Sequence, residues 1–449
     1  MNCPLRHLYK YIMCSLLGLL PLAAVGQTTA MIEGGRWTDV PRVRQHQGDG
    51  WWKVLTDGGM LRTSDGRWYM TMEEGVGDLV VMNYVDGYSF GPHASLGYIS
   101  ANRQRWELEE TLRWASGRQR WLGKAALRWY SPIEQGLMLE LHGGQHTEDY
   151  DRDPTMSTAH SLFATGVFGW NHYKLLERTD AGIRMSATVT RSIDLQAHAS
   201  WERRRTMANH KERNMFGVWA ESNVPRLRDG QTASDLRLYD GPTDGELALV
   251  GLQMTYQPHR KLYVTDDMTS QWYSPYPKMT FSADAGMGDW HYLSLSLGIE
   301  HEIALPLSAD RLSYSLGGGG IIRHGQIGLA DWHHLDASRF WWQDKGSLTR
   351  FVMLDNYELS TDQQWSEAHV EWSSGKMLLT QWITEPSLMR EYVQVHAAKV
   401  LRHRMHWELQ YGLDLVERWR LGLAIGMDGA AWRGVAFTMS LGLQPDKRQ

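Results

Sequence analysis

Cysteine is nearly absent from this chain: 449 residues contain two, Cys3 and Cys14, both inside the first 26. Once that segment is removed no thiol remains, which excludes a disulfide framework, a cysteine nucleophile and a zinc–cysteine site. Proline is scarce, at 14 residues, and beyond the amino terminus no stretch approaches the roughly 20 consecutive apolar residues of a membrane helix. A helical membrane protein is thereby excluded. Strands that alternate apolar and polar residues escape that test, because any window of them averages to mild polarity. Neither sign of charge dominates, and a formal net charge of −5 with an isoelectric point near 6.4 argues against a general nucleic-acid binder.

What the chain does contain is 44 glycines, 22 tryptophans and 19 tyrosines, a composition of strands, turns and aromatic belts. Arg6, His7 and Lys10 precede an apolar run from Ile12 to Ala24, and Ala24-Val25-Gly26 offers small residues for cleavage. Residues 1–26 therefore read as a secretory signal peptide. Cys14 lies within the apolar run, not after it, which argues against a lipoprotein. Residues 27–85 are glycine-rich and irregular and read as a short periplasmic leader, 86–443 as the barrel and 444–449 as a polar tail.

The register of one hairpin is written in tryptophan. With Gly117-Arg118 as a two-residue type II′ loop, Trp114 faces Trp121 and Trp106 faces Trp129. Trp106, Leu108, Leu112 and Trp114 then share a face with Trp129, Leu127, Gly123 and Trp121, interrupted only by Glu110. Arg105, Glu107, Glu109, Thr111 and Arg113 lie on the other face, opposite Tyr130, Arg128, Ala126, Lys124 and Leu122, so that Glu107 meets Arg128. Eight residues of strand rise about 26 Å, or about 20 Å after a tilt of about 40°, close to the apolar band of an outer-membrane barrel.

Apolar residues recur with period 2 through most of the chain: Leu137–Leu141, Leu162–Trp170, Ile183–Val189, Leu195–Trp201, Val250–Tyr256, Leu293–Ile299, Leu312–Leu316, Val393–Ala397, Met405–Leu415, Trp419–Met427 and Val435–Leu443. Trp407 and Trp419 join the aromatic belt of Trp106, Trp114, Trp121 and Trp129. Arg418 and Arg420 join Arg105, Glu107, Glu109, Arg113, Lys124 and Arg128 as charges facing the lumen. A soluble sandwich would bury such an apolar face under a second sheet, but with this many segments and no covering helices lipid is the simpler partner. The expected fold is all-β, a transmembrane antiparallel up-and-down β-barrel of about 16 strands, with 14 as the alternative. Long insertions fall near 146–158, 204–243, 258–276, 323–347 and 374–390. They cannot all lie on one side at this strand count, so at least one segment must be misread. No repeat of 40–50 residues points to a propeller.

Four short motifs occur in order: Asn83-Tyr84-Val85-Asp86-Gly87-Tyr88, Ser274-Pro275-Tyr276-Pro277-Lys278, Tyr357-Glu358-Leu359-Ser360-Thr361-Asp362 before Glu367-Ala368-His369, and Arg390-Glu391-Tyr392-Val393. Together they make the chain resemble a family of Bacteroidetes outer-membrane barrels of unknown function, whose longer members often begin with a carboxypeptidase-regulatory-like domain. That domain is missing here, and a polar tail follows the last strand where the family pattern ends on an aromatic. The resemblance implies fold and location and carries over no catalytic residue.

Candidate chemistry is thin. Gly87-Tyr88-Ser89-Phe90-Gly91 matches a nucleophile elbow, but that motif needs a strand-to-helix turn and this segment continues as a strand. Asp149, Asp151 and Asp153 have the spacing of calcium-loop ligands, but Pro154 stands where glycine is required and His160 where the bidentate glutamate belongs. His369, His396 and His406 fall on inward faces, with His396 near Glu408 or Gln410, and lumen polarity accounts for them. Trp332-His333-His334 and His301-Glu302 lack metal-site spacing. The sequence therefore predicts no enzyme, cofactor or metal, and a passive or gated conduit or an envelope scaffold. The alternatives are a barrel-embedded enzyme or an assembly component that binds through its loops. Expected partners are outer-membrane lipid, the barrel assembly machinery and an envelope protein, with no nucleic acid. A TonB-type receptor is disfavoured, since only about 60 residues precede the first strand and a folded plug needs roughly twice that.

Overall fold

The computed structural model describes residues 50–441 apart from 58, 73–78, 133–135, 153–162, 215, 265–269, 306–309, 344–346, 376, 383–388 and 416–418. The expected signal peptide, the polar tail, Asp153 and Arg418 lie outside the described residues.

Helix α1 (Trp51–Asp57) leads into β1 (Gly59–Arg62), β2 (Trp68–Met72) and β3 (Val80–Asn83). These three strands fall within the span read as a leader, so the sheet begins earlier than residue 86. Alternation there is too short and too interrupted to stand out. β4 (Gly87–Phe90) and β5 (His93–Ile99) both pair with β6 (Arg105–Ala115), while β3 pairs with β4 and β2 with β5. β4 and β5 are thus one strand interrupted at Gly91-Pro92, and β2 and β3 form its interrupted neighbour.

An antiparallel meander continues through β7 (Arg120–Tyr130), β8 (Leu137–Asp149), β9 (Leu175–Thr190) and β10 (Ile193–Thr206). After the small pair β11 (Arg226–Arg228) and β12 (Leu236–Leu238) comes β13 (Gly245–Tyr256). A second small pair, β14 (Lys261–Val264) and β15 (Ser270–Tyr273), precedes β16 (Lys278–Gly288), β17 (His291–Ala304) and β18 (Arg311–His324). The two-residue β19 (Trp342–Gln343) is followed by β20 (Gln364–Ser374), β21 (Met389–Val400), β22 (His406–Leu415), β23 (Trp419–Asp428) and β24 (Ala431–Leu441). All long strands belong to one sheet.

The tryptophan register is the expected one: Trp106 pairs with Trp129, Glu107 with Arg128 and Trp114 with Trp121. The rings of the two pairs lie 6.4 and 5.6 Å apart. Trp106, Leu108, Glu110 and Leu112 are exposed, and the residues between them are not. The loop differs from the expected type II′ turn. It spans residues 116–119, the positive φ falls on Gln119 at 52°, and Gly117 instead donates its N–H to Asp86 O at 2.7 Å. Contact with the neighbouring turn thus outweighs the local Gly-X preference.

On the inner face, four buried aromatics lie directly across from glycines: Tyr69 opposite Gly97, Tyr292 opposite Gly286, Trp365 opposite Gly319 and Tyr392 opposite Gly412. A Cβ at any of these glycines would overlap the facing side chain. Each ring therefore lies flat on bare backbone, which explains part of the glycine content.

At one end of the strands the connections include the three longest insertions facing a common side, 150–174, 207–244 and 325–363. At the other end lie two, 257–277 and 375–388. The segment read as a strand over Leu162–Trp170 belongs to the first insertion. Its described part includes a π-helical turn, Ala164–Phe168, with Ala164, Thr165 and Gly166 buried. Its alternation arises from packing against other loops, not from a place in the sheet.

Candidate functional site

The sheet curls around these three insertions. The third is bonded to β10 through Arg204, to the β16–β17 corner through Trp290 and Tyr292, and to β22 and β24 through Glu408 and Arg433. The first touches Tyr84 beside β3, whose hydroxyl donates to Thr165 O at 2.7 Å. One face of the sheet, from its first strands to its last, thus meets a single central body.

Asp331 is the main anchor of the third insertion. Fully buried, it accepts two bonds from Arg204 at 2.7 and 3.0 Å, one from Trp290 Nε1 at 2.7 Å and one from the Tyr292 hydroxyl at 2.7 Å. Burial alone would raise its pKa, but the guanidinium and the hydrogen bonds outweigh burial and hold the carboxyl below its usual range. Glu358 is the second anchor. It accepts bonds from Arg433 at 2.9 and 2.6 Å and from Arg228 of the second insertion at 2.9 Å, and these likewise overcome burial and lower its pKa. Arg228 also bonds Asp428 at 3.0 Å. Tyr357 donates its hydroxyl to Asp149.

Phe351, also in the third insertion, is fully buried among His369, His396 and His406, with ring centroids at 5.0, 5.7 and 5.6 Å. His369 and His396 meet at 2.9 Å between Nδ1 atoms. His406 lies between Asp428 at 2.9 Å and Glu408 at 2.8 Å, and Glu408 accepts the backbone N–H groups of Val352 and Met353 at 2.8 and 2.9 Å. The structure brings the three histidines together and assigns them a packing surface for a loop. His333 stacks on Trp365 at 4.1 Å, and His334 Nδ1 lies 2.8 Å from Ser360 Oγ. Burial pushes the His334 imidazole down to about 3, so it is neutral at physiological pH.

Beside the insertions lies a cavity of about 450 Å³ walled by inward residues of β6 to β10, β13 and β16. Glu109, Lys124 and Arg128, all expected in the lumen, line it. Arg128 reaches Glu107 at 3.3 Å, Glu109 at 2.5 Å and Glu140 at 2.6 Å. Arg105 approaches Glu107 at 3.9 Å and packs over the Tyr130 ring, and Arg113 faces the same interior. Arg420 lies on the inner face farther round, bonded to Glu371 at 2.6 Å and stacked on Tyr392. Of the belt residues, Trp106, Trp121 and Trp419 are exposed, while Trp407 is half-buried and donates to Gly429 O at 3.1 Å. Arg152, Arg178 and Glu202, which sequence reasoning missed, complete the cavity wall. Arg152 approaches Glu202 at 3.3 Å and Asp331 at 3.7 Å, joining the cavity to the anchor. Arg152 and Asp331 are far apart in the chain, as are Arg228 and Asp428 at 200 residues, so no local motif could have shown these pairs.

The elbow serine, Ser89, is buried within β4, away from any strand-to-helix turn. Asp149 is held by Tyr357. Among the described residues no group of three or more His, Cys, Asp or Glu side chains could hold a metal ion.

The described residues form an all-β protein, an antiparallel up-and-down sheet with one largely apolar and one charged face, packed against its own insertions. The chain belongs to a family of unknown function (DUF5686), whose C-terminal domain matches residues 52–413. No curated protein matches its sequence. Among solved structures it is similar to CdiB from Acinetobacter baumannii, at 11% identity and TM-score 0.37 over 86% of this chain and 57% of that one. It is also similar to BamA from Haemophilus ducreyi lacking POTRA domains 1–3, at 12% identity and TM-score 0.43 over 80% and 68%. A third is Wzi, an Escherichia coli outer-membrane protein of capsule assembly and a carbohydrate-binding barrel, at 13% identity and TM-score 0.33 over 85% and 76%. Likeness this loose carries no inference about activity.

Proposed function

We propose that this chain is a non-enzymatic outer-membrane barrel of sixteen strands, counting β2 with β3 and β4 with β5 as single strands and leaving out the short β1 and β19, that acts as a gated conduit closed at one mouth by its own insertions. The end that bears the three longest insertions faces the cell exterior, because barrels of this kind keep their shorter connections inside and their longer loops outside. Lipid surrounds the belt of Trp106, Trp121 and Trp419, and insertion depends on the barrel assembly machinery. The observation that carries the reading is the anchoring of the third insertion through Asp331 beside a charge-lined cavity: a latch over a polar interior.

Planar-bilayer conductance tests it. The intact refolded protein should be nearly silent, whereas replacing 325–363 with a short glycine–serine turn should give stable ion steps. If the shortened variant keeps a heat-modifiable barrel band on gels yet passes no current, the conduit reading fails. An envelope scaffold then takes its place, and one observation favours that second reading. Phe216 and Trp219, 66% and 63% exposed, project from the second insertion, with Arg213 stacked over the Trp219 ring. Pull-down of an envelope protein that is lost on removing residues 213–219, with conductance unchanged, would identify the scaffold.

A further inference from the structure

The charge-lined cavity carries two buried groups that its own walls leave unanswered. Arg178 and Asp180 occupy successive inward positions of β9, both line the cavity, and they are 6% and 7% exposed. Arg178 Nη1 is paired with Glu148 and its Nε lies 3.4 Å from Glu202, but Nη2 has no hydrogen-bond partner. Asp180 Oδ1 accepts no hydrogen bond either. His142 Nε2 and His146 Nδ1 each lie 3.7 Å from the Asp180 carboxylate, beyond bonding distance. Buried polar groups are as a rule satisfied, so a donor and an acceptor left open side by side on a cavity wall mark a place for a ligand.

The rest of the wall narrows the chemistry of that ligand. Among the described residues five Lys and Arg side chains and six carboxylates line the cavity, a near balance that favours neither a simple anion nor a simple cation. Many of these charges already answer one another: Arg128 reaches Glu107, Glu109 and Glu140, and Arg152 lies 3.3 Å from Glu202. No described Phe, Tyr or Trp lines the cavity, which leaves no such ring on which a sugar or a base could stack, and the apolar lining is confined to Ala126 and Leu252. One cationic donor and one anionic acceptor thus stand open together. Two residues apart on a strand, they are about 7 Å apart at Cα. The two ends of a dipeptide, whose own Cα atoms are about 3.8 Å apart, can reach both.

We propose that the cavity binds a dipeptide-sized zwitterion, its carboxylate accepting a hydrogen bond from Arg178 Nη2 and its ammonium donating one to Asp180 Oδ1. Both bonds are charge-assisted, the strong kind, and a cavity of about 450 Å³ lies in the range of small-molecule sites. The inference names the solute class of the conduit proposed above and rests on that reading.

Isothermal titration calorimetry of the detergent-refolded full chain tests it, with alanyl-alanine as the probe and its N-acetyl and C-amide forms as single-charge controls. Alanyl-alanine should bind, and blocking either end should weaken binding about tenfold or more, the size of one lost charge-assisted bond. Arg178→Gln should remove binding. Asp180→Asn should weaken alanyl-alanine to the level of the N-acetyl form, so that the preference for a free amine disappears while the heat-modifiable band on gels persists. No binding of alanyl-alanine by the wild type would show that water alone occupies the cavity and would overturn the site. Equal binding of all three forms, or an Asp180→Asn protein that still prefers the free amine, would overturn it as well. The wild-type comparison needs no substitution, so misfolding of either variant leaves the proposal falsifiable. Binding is read at equilibrium without current: a silent bilayer after removal of 325–363 would sink the conduit alone, whereas ion steps without binding would sink only the solute assignment.

Discussion

Asp331 shows how much one side chain holds together: one carboxylate receives four hydrogen bonds from three residues on two parts of the sheet. Asp331→Asn keeps the shape but removes one of the two carboxylates that face buried Arg204, leaving Glu202 at 2.9 Å. Breaking one side of a buried pair costs about 3–5 kcal/mol, and the remaining Glu202 should keep the loss below that range. Hydrogen exchange across 325–363 should accelerate accordingly, while the strand amides stay protected, and uniform loosening would show that Asp331 supports the sheet instead. Leu112 and Arg113 test the two faces of the wall. Leu112 is exposed on the outer face and Arg113 turns inward. Leu112→Arg should therefore cost about 2–4 kcal/mol in lipid refolding titrations, and Arg113→Leu should be mild. Equal tolerance would invert or abolish the assignment of faces.

At the scale of strands, the pairing of inward aromatics with glycines organises the interior. Tyr69 lies on Gly97 and donates its hydroxyl to Glu107 at 2.9 Å. Gly97→Ala should displace the ring and lose that bond, costing about 1–3 kcal/mol as overpacking does. The double variant Tyr69→Ala/Gly97→Ala should cost less than the two single changes added together, and strict additivity in refolding titrations would deny the contact.

The tryptophan hairpin was legible because its register depends on residues a few positions apart and on a two-residue period. The first insertion was not, because Ala164, Gly166 and Phe168 alternate as a strand would, yet they are placed by loops arriving from elsewhere in the chain. The interior charges Glu107 and Arg128 could be paired from the sequence since they share one ladder. Arg204 with Asp331, 127 residues apart, could not.

For the whole molecule, the anchors define a response to acid. His334 is neutral when buried down to about pH 3, whereas in a released insertion it takes up a proton near pH 6.5. The released state therefore binds more protons between those values, and the docked state loses stability as pH falls through that window. Asp331 and Glu358 act in the same direction but lower: their contribution is complete above the ordinary carboxylate range and is lost as pH drops through their depressed values. Proteolysis of the 325–363 segment should thus be flat above about pH 7 and rise below about pH 6. In His334→Gln the rise should shift to lower pH. An unchanged profile in that variant would remove His334 as its source.

The anchors of the third insertion also set an order of events during biogenesis. Tyr357 reaches back 208 residues to Asp149, and Arg228 waits 200 residues for Asp428. Contacts of such separation close slowly, because each must first overcome the entropy of a long loop. The early strands and the second insertion precede β23 in the chain, so the bond from Arg228 to Asp428 can form only once the final hairpins are in place. For the conduit proposed above, this makes full sealing a late step of maturation, and a chain arrested short of β23 would be left with an incomplete latch.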